Sequence, residues 1–63
     1  MTIAERLVGA RGNTPRKAVA DAVGISVSAL TMYELGNRVP RDELKVRLAN
    51  YYGRTVQDLF FEQ

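Results

Sequence analysis

The sequence predicts an all-α fold of five short helices. Three observations carry that prediction. Apolar residues recur at helical spacing in successive stretches, and no stretch alternates with the period of a strand. The stretches open on Thr, Ser or Pro start signals, and Gly follows most of them. A chain of 63 residues is also too short for more than one core, so the expected organisation is one domain over residues 1–63.

In order, Thr2 and Glu5 form a capping-box pattern, each side chain placed to satisfy an amide of the other's turn. Ile3, Leu7 and Ala10 then mark one face of a helix ending near Arg11. Gly9 costs this helix about 1 kcal/mol relative to Ala, so either close packing or early fraying is expected there. Gly12-Asn13 makes a turn. Thr14-Pro15 reads as a second start, with Thr as N-cap and Pro at the first helical position. This helix carries Val19, Ala20 and Val23 on one face and runs to about Val23, with Gly24 supplying a left-handed turn. Ser26 caps a third helix, Val27 to about Leu35, with Ala29, Leu30 and Tyr33 facing inward and Val27, Ser28, Thr31 and Met32 outward. Gly36 ends it, and residues 37–41 form a basic loop. A fourth helix starts near Arg41 or Asp42 and reaches Tyr52 on a Leu44, Leu48, Ala49, Tyr52 stripe, with Gly53 as its stop. Thr55 with Asp58 opens a last short helix carrying Val56, Leu59 and Phe60.

The second and third helices share an apolar seam across a short Gly turn, which is the sequence form of a helix-turn-helix over residues 16–35. Composition narrows what such a pair serves. There is no Cys and no His, which removes thiolate metal sites and the commonest general base. No enzyme, metal, cofactor or small-molecule ligand is therefore expected. The net charge of +2 and the pI near 9.4 come from an Arg-rich basic excess, compatible with nucleic acid as partner. MTIAERL lacks the apolar core of a signal peptide, and no apolar run reaches membrane-spanning length, so no membrane association and a cytoplasmic location are expected. Arg16 and Lys17 sit in a first helical turn, where cations oppose the helix dipole. They are either tolerated surface charge or placed to meet an anion together with free backbone amides.

The pattern Ala20-x-x-x-Gly24-Ile25-Ser26-x-x-x-Leu30-x-x-Tyr33-Glu34-x-Gly36-x-Arg38-x-Pro40 resembles the helix-turn-helix core of the Cro and phage-repressor-like (XRE-type) DNA-binding family. The similarity extends to Ile3, Leu7, Ala10 and Arg11 before the core and to Leu44 through Phe60 after it. The ending Tyr51-Tyr52-Gly53 with Leu59-Phe60-Phe61 looks like that of small phage-type or mobile-element regulators. The resemblance implies a lambda-repressor-like domain whose second helix crosses the DNA backbone and whose third enters the major groove. By position it implies base-facing Val27, Ser28, Thr31 and Met32, and phosphate-binding Arg16, Lys17, Ser26, Asn37, Arg38 and Arg41. It also implies a partly buried ion pair between Arg11 and Glu34.

There are departures from the family. Arg16 stands where relatives usually carry a phosphate-contacting Gln, and the loop before it is shorter than in many of them. The outward face of the third helix lacks the Arg, Gln and Asn side chains that read guanine and adenine bidentately. Apolar contact to thymine methyls, DNA shape and paired half-sites are then expected to supply specificity. Lys45, Arg47 and Arg54 read as solvated charge. Tyr51, Tyr52, Phe60 and Phe61 place four aromatics within eleven residues, more than two short helices usually bury, so a homodimer contact is expected there. The reading is a double-stranded-DNA-binding transcriptional regulator, repressor-like and dimeric on a pseudo-palindromic operator. The alternative is a protein-interaction module on the same fold, antitoxin-like or anti-repressor-binding, that has lost specific readout.

Overall fold

The computed structural model describes residues 2–61. Those residues form α1 (Ile3–Arg11), α2 (Arg16–Val23), α3 (Val27–Glu34), α4 (Asp42–Tyr52) and α5 (Val56–Phe60). None of these helices is long and apolar enough to cross a membrane.

Local chemistry accounts for most of the boundaries. The Thr2–Glu5 capping box closes at both ends: the Glu5 amide donates to Thr2 Oγ1 at 3.1 Å and the Thr2 amide to Glu5 Oε1 at 3.0 Å. The hydrogen bond from the Thr2 amide, with the Thr2 hydroxyl adding to it, holds the exposed Glu5 carboxyl below the usual range. Ser26 Oγ accepts from the Ala29 amide, and Thr55 Oγ1 accepts from the Asp58 amide, each at 3.0 Å. At α2 the structure departs from the expected start. Pro15, not Thr14, is the N-cap, and it offers no side-chain cap. The Pro15 carbonyl accepts from Ala18 and Val19, while the Thr14 carbonyl is taken by Arg11 Nη1 at 2.9 Å. Thr14 is thus tied back to α1 rather than forward into α2.

Gly24 sets the turn of the α2–α3 pair. Its φ of 78° is left-handed, and the Ile25 amide reaches back to the Ala20 carbonyl at 2.9 Å. Ile25 is thereby folded onto the core. A Cβ at Gly24 would also lie 3.3 Å from Arg47 Nη1. Gly9 shows neither expected outcome: α1 continues past it to Arg11, and a Cβ there would meet nothing within 4 Å.

The core lies where the helices converge. α1 packs on α3 and α5, α2 on α3 and α4, and α4 on α5. Leu7, Val19, Leu30, Leu48 and Leu59 are the largest fully buried side chains, joined by Val23, Leu44, Ala49 and Phe60. Each helix supplies at least one of them, so no helix keeps its apolar face without the others. Burying a Leu or Val side chain is worth about 1.5–3 kcal/mol, which is what holds a helix as short as α5 in place.

Two basic residues expected to be solvated are structural. Arg47 Nη1 donates to the Val23 carbonyl at 2.9 Å and so caps the C-terminal end of α2 from α4. Lys45 lies with its ammonium 5.8 Å from the Phe60 ring centroid and 5.5 Å from that of Phe61. Lys45 is largely covered while the Arg47 side chain stays half exposed, and each uses its charge on a partner from another element. Arg54 is exposed, as expected.

Candidate functional site

Ala20 is fully buried and α2 packs on α3, which keeps an outward face. On that face Val27 and Ser28 are exposed, while Thr31 and Met32 are half-buried. The Thr31 hydroxyl donates to the Val27 carbonyl at 2.9 Å. Its proton is therefore spent inside the helix, and an acceptor and a methyl group face outward. The face offers apolar surface and few donors.

The centre of the site lies behind it. The Glu34 side chain is 1 % exposed, and each of its oxygens holds a different arginine. Arg11 Nε donates to Oε2 at 2.8 Å, and Arg16 Nε donates to Oε1 at 2.9 Å. Arg11 is 16 % exposed and also holds the Thr14 carbonyl, so it is a structural cation. Its pKa is pushed up, chiefly by the hydrogen bond to Glu34. Arg16 is 40 % exposed and uses only its Nε among the described residues. The Arg11–Glu34 pair that the resemblance implied is present as geometry. The participation of Arg16 was missed by sequence reasoning, because nothing in the spacing of residues 16 and 34 marks a contact between the starts and ends of two different helices.

The remaining basic residues border this centre. Lys17 Nζ pairs with Asp21 Oδ2 at 3.0 Å, both largely exposed. Such a pair is worth about 0.3–0.5 kcal/mol and yields readily to a competing anion. Ser26 Oγ accepts from Ala29, which leaves its hydroxyl proton free to donate outward. Asn37, Arg38 and Arg41 are exposed on the loop after α3. Arg38 and Arg41 share a concavity of about 250 Å³ with Tyr33 and Arg47. Tyr33 is half-buried and packs on the core.

The aromatic cluster divides. Phe60 is 3 % exposed and belongs to the core, which corrects its expected place in a subunit contact. In a helix of five residues, Leu59 and Phe60 are both buried where α5 packs on α4, and the Lys45 ammonium lies over the Phe60 ring. Tyr52 is half-buried against the core, its hydroxyl enclosed without a hydrogen-bond partner among the described residues. Burial, with the nearby Glu34 charge adding to it, pushes the Tyr52 hydroxyl up to about 12. Tyr51 and Phe61 remain exposed, and Tyr51 meets the Tyr52 ring edge-on at 5.5 Å between centroids. Sequence reasoning missed a second exposed apolar pair, Leu35 and Val39, 63 % and 62 % exposed. They border a concavity of about 460 Å³ with Ile3, Ala4 and Phe60.

A family model described as helix-turn-helix matches residues 3–59 of the chain. No curated protein and no solved structure matches it.

Proposed function

Because the chain belongs to the Cro/C1-type (XRE) helix-turn-helix family, whose members are DNA-binding regulators, we propose that it is a sequence-specific repressor acting as a dimer on a pseudo-palindromic operator. The observation that carries this reading is the setting of the α3 outward face beside Arg16, the more exposed of the two Glu34-bound arginines. With α3 in the major groove, Val27, Ser28, Thr31 and Met32 meet base edges. Arg16, Lys17 and Ser26 meet phosphates on one side of the groove, and Asn37, Arg38 and Arg41 on the other. The first turn of α2 lacks a side-chain cap, so its free amides add to the attraction for phosphate.

Direct readout by such a face is weak. Val27 and Met32 favour thymine methyls, and Ser28 discriminates little. Specificity then rests on thymine positions, on the deformability of the intervening DNA and on doubling of half-sites through a dimer. The dimer contact draws on Tyr51 and Phe61, and it takes place in the cytoplasm. Four or five phosphate contacts per subunit give a salt slope of about −4, and about −8 for the dimer.

Selection of genomic DNA fragments by the purified protein, at a stated salt concentration, tests the reading. Enrichment of a T-rich inverted repeat, with half-sites about one helical turn apart, is the expected result. Recovery of no common sequence would refute it.

The exposed apolar residues favour one second reading. Val27, Leu35 and Val39 leave apolar surface outside the core, the kind of surface that protein partners cover. In a protein-interaction module on this fold, Met32→Glu abolishes a protein contact and leaves DNA affinity unchanged. In the repressor it weakens DNA binding directly.

A further inference from the structure

A buried carboxylate needs one cation to be balanced, and Glu34 has two. Arg11 Nε takes Oε2 at 2.8 Å and is itself largely covered, with a second bond to the Thr14 carbonyl. That pair alone ties α1 to α3. Arg16 comes from α2, and its engagement is one-sided: Nε donates to Oε1 at 2.9 Å, while its Nη atoms have no hydrogen bond among the described residues. The guanidinium is a rigid plane with five donors. Fixing its Nε against a carboxylate that is 1 % exposed therefore fixes the direction of the Nη edge.

We propose that Glu34 is a positioning residue for the DNA-backbone contact of Arg16, holding the guanidinium by its Nε so that the Nη edge is presented, already oriented, to a phosphate. The inference rests on the reading of this chain as a DNA-binding regulator. Two consequences follow. The long side chain loses its rotamer freedom when the protein folds, so DNA binding does not bear that loss. Arg11 balances the carboxylate, so the three-residue cluster keeps a net positive charge and Glu34 does not cancel the attraction of Arg16 for phosphate. A lysine in the same place behaves differently. It is a point charge without a second, oppositely directed edge, so Glu34 and a phosphate compete for the same ammonium.

The test measures binding to a fluorescent non-specific duplex over a series of salt concentrations. Arg16→Lys leaves the formal charge and the Arg11–Glu34 pair intact. It is expected to weaken binding by about 2- to 10-fold and to reduce the salt slope by about 1. Glu34→Gln, at a temperature where its melt shows a folded protein, adds one positive charge. Charge alone makes it bind more tightly, and positioning makes it bind more weakly. The Arg16 Nε–H resonance gives a readout that does not depend on either variant: it is expected to stay protected from exchange in the free protein and in the complex. Unchanged affinity and slope in Arg16→Lys, tighter binding by folded Glu34→Gln, or departure of Arg16 from Glu34 on DNA would each overturn the inference. Failure of the wild-type protein to bind any duplex at low salt overturns the DNA-binding reading itself.

Discussion

Replacing Arg11 with Met should do more damage than replacing its partner Glu34 with Gln, although the two residues share one ion pair. The asymmetry comes from burial. Glu34 is 1 % exposed, whereas Arg11 and Arg16 are 16 % and 40 % exposed. Arg11→Met leaves a buried carboxylate with one cation instead of two and releases the Thr14 carbonyl. Breaking a buried pair costs about 3–5 kcal/mol, and the surviving Arg16 bond places this case near 3 kcal/mol. Glu34→Gln leaves two guanidinium groups, but both border solvent and can turn toward water. Its cost is that of one lost charge-assisted bond, at the low end for such bonds because both arginines border solvent, about 1.5 kcal/mol. A chain of 63 residues has a total stability on the order of 3–9 kcal/mol. At roughly 4–8 °C per kcal/mol, Arg11→Met should lower Tm by about 12–24 °C and Glu34→Gln by about half that or less. The double variant Arg11→Met, Glu34→Leu should recover most of the loss, because no buried charge is stranded. Thermal melts followed by circular dichroism, at one pH and salt concentration, read all three. If Glu34→Gln melts below Arg11→Met, or Arg11→Met melts within a few degrees of wild type, burial of the carboxylate is not what governs this cluster.

Three other substitutions test separate parts of the fold. Tyr52→Phe removes an enclosed hydroxyl that has no partner among the described residues and should leave stability unchanged or raise it by about 1 kcal/mol. The same variant has a pH signature. The folded-state Tyr52 pKa is raised from 10.0 to about 12, so the unfolded chain loses its proton first. This contribution to stability is complete below pH 10 and is lost as pH rises from 10 to about 12. Chemical denaturation across that range should show a shallower alkaline decline for Tyr52→Phe, and parallel declines would refute the assignment. Gly9→Ala adds a Cβ into open space on an uninterrupted helix. It should raise stability by about 0.5–1 kcal/mol, read as a higher denaturation midpoint with an unchanged m-value. Arg47→Ala frees the Val23 carbonyl at the end of α2 and should cost about 1–2 kcal/mol, with earlier hydrogen exchange in the last turn of α2 than in α1.

The parts of the fold legible in sequence are those decided within a few residues. Thr2 with Glu5, Ser26 with Ala29, Thr55 with Asp58 and Gly24 with Ala20 are all closed by bonds between near neighbours, so residue type and spacing suffice to place them. Even there Pro15 displaced the expected cap by one position, because Arg11 had already claimed the Thr14 carbonyl. Arg11 and Glu34 were suggested by family resemblance and not by spacing, being 23 positions apart. Arg47 and Lys45 read as surface charge because a long side chain on a polar face carries no mark of the neighbour it will reach. Phe60 read as surplus aromatic because a five-residue helix is too short for periodicity to say which side is inward.

The sequence by itself therefore determined that five helices form, where each starts and stops to within about a residue, and that the second and third make a helix-turn-helix. Those outcomes rest on backbone conformation, capping and the period of apolar residues, all of which act locally. Only the tertiary structure decided which charges are spent on the fold and which remain for a ligand. Arg11, Arg16 and Arg47 are the same residue type, each on a helix. One is largely covered on Glu34, one is held there by its Nε while its Nη atoms make no hydrogen bond among the described residues, and one caps α2 from α4. A guanidinium's role is set by what lies within reach of its long side chain, and that is known only when α1, α2, α3 and α4 have closed on one core.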